Sequence, residues 1–313
     1  MKILVTGANG QVGSALIDKL IELYGVDSII ATDIVENINS KVKFRTLDVT
    51  DSSAVEKLFD EYKFNEVYHL AALLSATGEK NPLKLWDINI GGTLNMLEAI
   101  RKHHSRMFIP SSIAAFGDST PKEDTPQVTI QRPDTIYGIS KVSGELLCDY
   151  YVKKYSLDIR GVRFPGLISY ETLPGGGTTD YAVHVYYSAL KDEPYFECNI
   201  EKGTYMDFMY MKDAIDAVIK LMQAPKENLQ HFNAYNITAM SIEPEDVFRS
   251  IKKYVPNFTY EYKVDEVLQN IAKGWPDRLD ATQARKDWGF SPNYDLDAMT
   301  RDMLENIKKR KDD

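Results

Sequence analysis

Two side chains four residues apart, Tyr137 and Lys141, have a type and spacing suited to acid–base chemistry. They lie in a helical pattern, in which residues four apart share one face. A lysine ammonium beside a phenol stabilises the phenolate, which makes a tyrosine usable as a base near neutral pH. Ser111 and Ser112 end a predicted strand about 25 residues upstream, where a hydroxyl can hold a substrate oxygen. The alternative is an ordinary surface pair and a serine cap at the end of a strand.

A glycine-rich turn at the start of the chain predicts a phosphate-binding cradle. Gly7, Gly10 and Gly13 follow five residues of strand-like sequence and lead directly into a helical pattern. Glycine lets the backbone turn tightly and approach a pyrophosphate, and the helix N-terminus offers N–H groups and a positive dipole end. Because ordinary turns also use glycine, the prediction depends on this position between strand and helix.

Two strand-end carboxylates are placed to contact the adenosine of a nucleotide cofactor. Asp33 ends the second predicted strand 20 residues after Gly13, where a carboxylate accepts hydrogen bonds from ribose and repels a 2′-phosphate. This favours NAD over NADP, although a turn aspartate has the same pattern. Asp48 and Val49 end the third predicted strand and would meet the adenine; the alternative is a cap for the helix that starts at Ser52.

Alternating strand and helix patterns predict an α/β fold, a doubly wound parallel sheet of the Rossmann type. The ligand of such a sheet lies at the carboxyl ends of its strands. The predicted strands are Lys2–Thr6, Ser28–Thr32, Lys43–Leu47, Glu66–Leu70, Arg106–Pro110 and Asp158–Arg163. The predicted helices of this half are Gln11–Tyr24, Ser52–Tyr62, Gly91–His103 and Tyr137–Tyr155.

Glycine and proline interrupt the alternation after residue 165, and a smaller C-terminal substrate lobe is predicted from there. Residues 1–165 form the NAD-binding domain, and residues 213–237, a helix and a strand, are expected to rejoin it. Residues 166–212 and 238–313 form the substrate lobe. Because no clear linker separates the two parts, we expect them to pack closely and to form a cleft.

The composition argues against several classes of function. A net charge of −9 without a basic stripe argues against nucleic acid as a partner. No apolar stretch approaches the roughly 20 residues of a membrane span, and no secretory leader is evident. The two cysteines are too few for a disulfide framework, which favours the cytoplasm. The five histidines are scattered, so no metal site is expected.

Six motifs together resemble the extended short-chain dehydrogenase/reductase family over nearly the whole chain. They are Thr6-Gly-Ala-Asn-Gly-Gln-Val-Gly13, Asp33, His69-Leu-Ala-Ala72, Asn89-Ile-Gly-Gly-Thr93, Pro110-Ser-Ser112 and Tyr137-Gly-Ile-Ser-Lys141. The resemblance implies that Ser112, Tyr137 and Lys141 are catalytic and that NAD is the cofactor. The residues that it implies at the cofactor are Gly7, Asn9, Gly10, Gln11, Val12, Gly13, Asp33, Ile34, Asp48, Val49, Leu70, Ala71, Ala72, Asn89, Tyr137, Lys141, Phe164 and Ile168.

Motifs in the second half resemble the L-threonine 3-dehydrogenase branch of this family. They are Gly166-Leu-Ile-Ser-Tyr170, Pro174-Gly-Gly-Gly-Thr-Thr-Asp-Tyr-Ala182, Tyr235-Asn-Ile-Thr238, Trp275-Pro-Asp-Arg-Leu-Asp280 and Asp287-Trp-Gly-Phe290. The resemblance implies oxidation of the L-threonine β-hydroxyl to 2-amino-3-oxobutanoate, with Tyr137 as base, Lys141 beside it and Ser112 on the substrate oxygen. The residues expected at the substrate are Ser75, Ser112, Tyr137, Thr178, Thr179 and Trp275.

A UDP-sugar 4-epimerase or dehydratase of the same family is the alternative left open. Met206 stands where those enzymes have an arginine that meets the sugar-nucleotide phosphates, and its loss removes a charge-assisted bond. Arg278 is able to replace the charge. A core role for Trp275 is a further alternative, as is a non-catalytic NAD-binding regulator. A homodimer through Gly91–His103 and Tyr137–Tyr155 is expected from the family.

Overall fold

The computed structural model describes residues 1–312; Asp313, the last residue of the predicted substrate lobe, lies outside the described residues. The strands are β1 (Ile3–Thr6), β2 (Ile29–Asp33), β3 (Lys43–Thr46), β4 (Glu66–His69), β5 (Arg106–Phe108), β6 (Ser111–Ser112), β7 (Ile159–Arg160), β8 (Val162–Phe164), β9 (Gly166–Ile168), β10 (Tyr195–Cys198), β11 (Met206–Tyr210), β12 (Tyr235–Asn236), β13 (Met240–Ile242) and β14 (Thr259–Tyr262).

The α-helices are α1 (Gln11–Tyr24), α2 (Ser52–Tyr62), α3 (Ser75–Lys80), α4 (Pro82–Trp86), α5 (Gly92–His103), α6 (Ile136–Tyr155), α7 (Tyr181–Ala189), α8 (Met211–Gln223), α9 (Pro244–Lys252), α10 (Glu266–Lys273), α11 (Thr282–Trp288) and α12 (Leu296–Asp312). A π-helical turn, Asp87–Gly91, joins α4 to α5. Among the helices of residues 1–312, none has both the length and the apolar character needed to cross a bilayer.

Six parallel strands form the central sheet, in the order β3-β2-β1-β4-β5-β7. In β1, Ile3 lies opposite Ile29 of β2 on one side and Glu66 of β4 on the other. The strand order changes direction at β1, and the carboxyl ends of β1 and β4 therefore border a crevice. The predicted doubly wound α/β fold is confirmed.

Short strands continue the β5–β7 edge of this sheet. β6 follows β5 after two residues, β8 follows β7 after Gly161, and β12 joins them in the parallel order β12-β8-β6. A Cβ at Gly161 would lie 2.2 Å from the carbonyl oxygen of Ile109, so both interruptions occur at one level of the sheet. The predicted strand Arg106–Pro110 is present but ends early, at Phe108, and the predicted strand Asp158–Arg163 is divided at Gly161 into β7 and β8. α8 packs against α1, and β12 pairs with β8.

The C-terminal part has its own cluster of buried apolar side chains. β11 pairs in parallel with β9 and antiparallel with β13, while β10 pairs with β14. Phe208 of β11, Phe248 of α9 and Met303 of α12 are among the buried members of this cluster. β9 leads from the central sheet into this cluster, so the loop that follows β9, residues 169–180, connects the two parts.

Candidate active site

A cleft of about 380 Å³ lies at the carboxyl ends of β1, β4, β6 and β8, bordered by the 169–180 loop. It brings together most of the residues predicted from the sequence. The predicted residues that line it are Gly7, Asn9, Gly10, Gln11, Val12, Gly13, Leu70, Ala72, Ser75, Ser112, Tyr137, Lys141, Phe164, Thr178, Thr179 and Trp275.

Tyr137 lies in the first turn of α6 and faces the cleft with 9% of its surface exposed. The helix begins here because the Thr135 side chain accepts a hydrogen bond from the backbone N–H of Gly138 at 3.1 Å. One turn later, Lys141 Nζ donates to the carbonyl oxygen of Pro110 at 2.9 Å. The same nitrogen lies 5.4 Å from the centre of the Tyr137 ring. The phenol and the ammonium thus share one face of α6.

Ser112 ends β6 opposite this pair. Its Oγ accepts a hydrogen bond from the backbone N–H of Ala114 at 3.2 Å. Because the oxygen is the acceptor in that bond, the hydroxyl hydrogen remains available as a donor to a ligand. Ser112 and Tyr137 therefore present two hydroxyl groups to the same cleft.

The glycine turn fits a dinucleotide pyrophosphate. Gly7 has a φ of +67°, and a Cβ there would lie 2.7 Å from the backbone nitrogen of Ala71. A Cβ at Gly13 would lie 2.3 Å from the carbonyl oxygen of Gly7. α1 starts directly after Gly10 without a side-chain cap, so its first N–H groups stay open to an anion. These residues supply a close backbone approach and a positive helix end, which a bound NAD requires.

Asp33 lies beside the glycine turn, at the end of β2. Its carboxylate accepts hydrogen bonds from the backbone N–H of Asn9 at 3.1 Å and of Ile34 at 2.8 Å. The side chain of Ile34 is 61% exposed next to it. Asp33 Oδ1 also accepts from the backbone N–H of Val35 at 3.4 Å, so about one of the roughly four lone pairs of the carboxylate stays available to a ribose hydroxyl. This arrangement suits the adenosine end of NAD.

Asp48 and Val49 have contacts within the protein that match the alternative interpretation, a turn ahead of a helix. The Asp48 carboxylate accepts hydrogen bonds from the N–H and the hydroxyl of Thr50, at 2.9 and 2.7 Å. Val49 is buried against α5, where a Cβ at Gly92 would lie 2.7 Å from its Cγ2. Asp51 caps α2. Adenine contacts of Asp48 and Val49 stay a prediction.

Asn89 connects the end of β4 to α6. Its Oδ1 accepts from the N–H of Leu73 at 2.8 Å, and its Nδ2 donates to Leu73 O at 3.1 Å and Ser140 Oγ at 3.3 Å. It lies in the π-helical turn, an irregularity often found at functional sites. Ala71 and Asn89 line a second cavity of about 30 Å³ beside Lys141. Asn89 therefore joins the backbone at Leu73 to the helix that carries Tyr137 and Lys141.

His69 is the histidine nearest to these groups, and it is 2% exposed. Burial, followed by the charge of Lys141, lowers the pKa of His69 to about 3. Its Nδ1 shares a hydrogen bond with Thr6 Oγ1 at 2.9 Å. A ring that stays neutral does not exchange protons near pH 7. Within residues 1–312, no three His, Cys, Asp or Glu side chains are grouped to hold a metal ion.

The predicted substrate residues meet across the cleft. Ser75 Oγ lies 3.3 Å from Thr178 Oγ1, and both residues are nearly fully buried. Trp275 lines the cleft with 7% of its surface exposed and packs with Tyr137 and Leu279. It therefore combines the two roles that the sequence left as alternatives, a core side chain and a wall of the cleft.

Leu167, which was not among the predicted residues, lines the cleft from β9. Its neighbour Ile168 is fully buried in the C-terminal cluster with Tyr181 and Phe208. Adjacent residues of a strand point to opposite sides, which accounts for the difference. The sequence pattern here lacked the alternation that separates the two faces, so the cofactor contact of Ile168 stays a prediction.

Asp180 is a second lining residue that sequence reasoning missed. One of its oxygens accepts from the backbone N–H groups of Gly176 at 3.0 Å and Gly177 at 2.8 Å. Burial raises the pKa of Asp180, and these two bonds oppose the shift. Its position directly after Thr179 was a usable signal, but an aspartate before a helix is also typical of an N-cap.

Lys141 is the one basic side chain among the described residues that line the cleft. Met206 is 1% exposed in β11, opposite Ile242. Arg278 binds Asp124 through two hydrogen bonds of 2.8 Å, and half of its side chain is exposed. Arg278 therefore does not replace the charge that Met206 lacks.

Comparisons with known proteins agree on the family. Residues 3–238 match the family described as the NAD dependent epimerase/dehydratase family. An uncharacterised epimerase/dehydratase of Staphylococcus aureus is 53% identical, over 99% of this chain and 97% of that protein. A crystal structure of L-threonine dehydrogenase from Clostridium difficile superposes with a TM-score of 0.96 at 51% identity, covering 99% and 98% of the two chains. A monomeric L-threonine 3-dehydrogenase from a metagenome has a TM-score of 0.95 at 45% identity, covering 98% and 99%.

Proposed function

The chain belongs to the NAD-dependent epimerase/dehydratase family, and from this premise we propose that it oxidises the β-hydroxyl of L-threonine to give 2-amino-3-oxobutanoate. It is an NAD-dependent oxidoreductase in fold and family. One observation carries the choice of substrate. The cleft sets the Ser112, Tyr137 and Lys141 groups opposite hydroxyls and a carboxylate, in a space of about 380 Å³ with a single basic side chain.

The glycine turn would hold the pyrophosphate of NAD, with Asp33 at the ribose. Lys141 and Phe164 would border the nicotinamide end, since both line the cleft next to Tyr137. The chemistry that NAD supplies when bound is acceptance of the hydride from the substrate β-carbon. The protein positions the substrate and handles the proton.

Tyr137 is the proposed base. Lys141, whose ammonium is 5.4 Å from its ring, stabilises the phenolate. The Ser112 hydroxyl donates to the substrate oxygen, and the phenolate removes the hydroxyl proton from that oxygen. Ser112 and Tyr137 therefore both act on the hydroxyl oxygen of the substrate. The distance between these two side chains determines where the β-carbon of the substrate lies.

The other end of the cleft suits a small zwitterion. The hydroxyls of Ser75 and Thr178 lie 3.3 Å apart, and Thr179 adds a third hydroxyl. Hydroxyl groups donate to a carboxylate. The carboxylate of Asp180 accepts from an ammonium, which also offsets the cost of burying its charge. These groups match the amino acid part of L-threonine.

The cleft offers little to a UDP-sugar. A diphosphate needs charge-assisted bonds from lysine or arginine beyond those that hold the cofactor. Met206 is buried and apolar, and Arg278 is held by Asp124 at the surface. The epimerase or dehydratase function therefore ranks second, supported by the family match and by the name of the uncharacterised Staphylococcus aureus relative.

The deciding experiment mixes the purified protein with L-threonine and NAD and follows NADH. Tyr137→Phe keeps the ring and should keep NAD binding, but removes the proposed base, so turnover should fall by roughly 10² to 10⁴. UDP-galactose is the matched alternative substrate. Turnover of UDP-galactose without NADH from threonine would reverse the choice, and full turnover in Tyr137→Phe would exclude the base.

We also infer a homodimer through α5 and α6. Ile139, Leu146 and Tyr150 are 40%, 62% and 53% exposed and lie on one face of α6. An exposed apolar face of this size is typical of a protein interface. Light scattering should show a dimer that Leu146→Lys dissociates. A monomeric wild-type protein would contradict the inference.

A further inference from the structure

A buried ion pair lies directly behind the catalytic groups, and the mechanism above does not use it. Glu145 follows Lys141 by four residues on the same face of α6. It pairs with Arg163 of β8, and each side chain is 7% exposed. Arg163 Nε donates to Oε1 at 2.9 Å and Nη2 to Oε2 at 2.8 Å. The pair is therefore bidentate and shielded from water.

Each oxygen of this carboxylate accepts a second hydrogen bond. Ser111 Oγ donates to Oε1, and Gln131 Nε2 donates to Oε2 at 2.8 Å. The third nitrogen of the guanidinium, Nη1, donates to Asn236 Oδ1 and Gln127 O, both at 2.9 Å. The network joins α6, β6, β8, β12 and the loop before α6. A buried polar network whose members all have partners is rigid.

The network is attached to the two strands one residue before their site residues. Ser111 lies opposite Arg163 in the β6–β8 pair, and Ser112 lies opposite Phe164. Side chains alternate along a strand, and those of Ser111 and Arg163 bond to Glu145, while Ser112 and Phe164 line the cleft. A displacement of Glu145 therefore moves the strand segment that presents Ser112.

The Glu145–Arg163 pair also affects the net charge of the groups around Lys141. Glu145 and Lys141 line the same cavity of about 30 Å³, and His69 of β4 and Cys148 of α6 are the other titratable side chains in its lining. Burial lowers the pKa of His69 and raises the pKa of Cys148, so both are neutral. Asp149, half-buried on α6, has a pKa raised by burial. Arg163 faces the same carboxylate from β8 and neutralises it.

We propose that the Glu145–Arg163 pair is a positioning element for the catalytic side chains. It fixes the strand that presents Ser112 against the helix that presents Tyr137. It also keeps the surroundings of Lys141 neutral apart from the ammonium itself. The proposal rests on the proposed function for the reaction that it serves.

Glu145→Gln tests both parts. In this variant Arg163 is an unpaired positive charge, which favours the phenolate form of Tyr137. The acid limb of the pH profile, which is the fall of kcat/KM as pH decreases, should therefore move to lower pH. The loosened strand should lower kcat by on the order of tenfold, with a smaller change in KM. Adding Arg163→Gln removes the extra charge, so the acid limb should return while kcat stays low. Asp158→Asn, which unpairs the buried Arg160 in β7, is the control that should leave the profile unchanged.

A folded Glu145→Gln protein with wild-type kcat and an unmoved acid limb would overturn the proposal. Where that variant fails to fold, Ser111→Ala cuts only the bond between the carboxylate and β6. It should lower kcat without moving the acid limb, and wild-type kcat there would overturn the proposal as well.

If the wild-type protein makes no NADH from threonine, only the proposed function is contradicted. The positioning proposal is then tested on the NAD-free protein, by the tyrosinate absorbance that Tyr137→Phe removes. Its pH midpoint should fall in Glu145→Gln, and an unchanged midpoint would count against the pair.

Discussion

The hydroxyl oxygens of Thr172 and Ser14 lie 3.0 Å apart. This hydrogen bond attaches the 169–180 loop to the first turn of α1. Gln11 Nε2 also donates to the Thr172 carbonyl oxygen at 2.9 Å. Because α1 starts at the glycine turn and the loop ends at Thr178 and Asp180, these two bonds link the cofactor side of the cleft to the substrate side. In this arrangement the loop borders the cleft beside the glycine turn.

Thr172→Val removes the hydroxyl bond but keeps the carbonyl bond and the side-chain shape. The loss of one neutral hydrogen bond costs about 1 kcal/mol, so NAD should bind roughly fivefold more weakly. A titration of protein with NADH, followed by cofactor fluorescence, measures this change. Thr259→Val on the exposed β14 is the control, and equal affinities in both variants would show that the loop does not retain the cofactor.

Asp33→Asn should relax the preference for NAD over NADP. The amide keeps an acceptor for the N–H of Asn9 but no longer repels a 2′-phosphate. Charge-assisted hydrogen bonds contribute about 1.5–3 kcal/mol, so the NAD to NADP ratio of kcat/KM should fall by about 10- to 100-fold. Initial rates with each cofactor test this, and an unchanged ratio would assign Asp33 to the turn alone.

Asp180→Asn should raise KM for L-threonine while NAD affinity stays constant. The amide oxygen still accepts from Gly176 and Gly177, but the charge that attracts an ammonium is lost, at a cost of about 1.5–3 kcal/mol. Burial raises the pKa of Asp180, so the wild-type carboxylate protonates earlier than usual as pH falls. KM of the wild type should therefore rise at low pH, and that of the variant should not. Parallel profiles would remove Asp180 from substrate binding.

Asp207→Asn should flatten the dependence of stability on pH. Burial raises the pKa of Asp207 to about 8, against the hydrogen bonds from Leu279 and Thr238. An unfolded aspartate has a pKa of about 3.9. The folded protein therefore keeps this proton up to a higher pH than the unfolded chain does. The stability that protonated Asp207 contributes is full below pH 4 and is lost as pH rises toward 8. The loss is at most about 1.4 kcal/mol per pH unit.

Urea unfolding of the wild type and the Asn variant at several pH values between 4 and 8 measures that slope. The amide changes the hydrogen bonds by an amount independent of pH, so the difference in slope is the quantity to compare. Equal slopes would mean that Asp207 is ionised throughout this range.

Local sequence patterns were sufficient to predict those parts of the site that lie within one helix or at one turn between a strand and a helix. Gly7 and Gly13 lie between a strand and a helix, and Tyr137 and Lys141 lie on one helix face, so their relationships follow from spacing alone. The alternation of strand and helix patterns, with right-handed crossovers, predicts a parallel doubly wound sheet. For this reason the fold, and the position of Tyr137 and Lys141 on one helix face, could be predicted from the sequence.

Contacts between distant segments could not be predicted in this way. Thr172 meets Ser14 across 158 residues of chain, and Arg163 of β8 meets Glu145 through the packing of α6 against the sheet, which no local pattern specifies. Leu167 and Ile168 point to opposite sides because they are adjacent in β9, and the packing of β9 beside β11 determines which of them faces the cleft. Each of these depends on tertiary packing, which composition and periodicity do not encode.

Trp275 is an intrinsic fluorescence probe of the cleft. The chain has three tryptophans, of which Trp86 and Trp288 lie outside the cleft lining and only Trp275 contacts Tyr137 within it. Reduced nicotinamide absorbs where indole emits, so energy transfer from Trp275 should accompany cofactor occupancy. Stopped-flow emission could therefore time the binding of NADH to the cleft without any label attached to the protein.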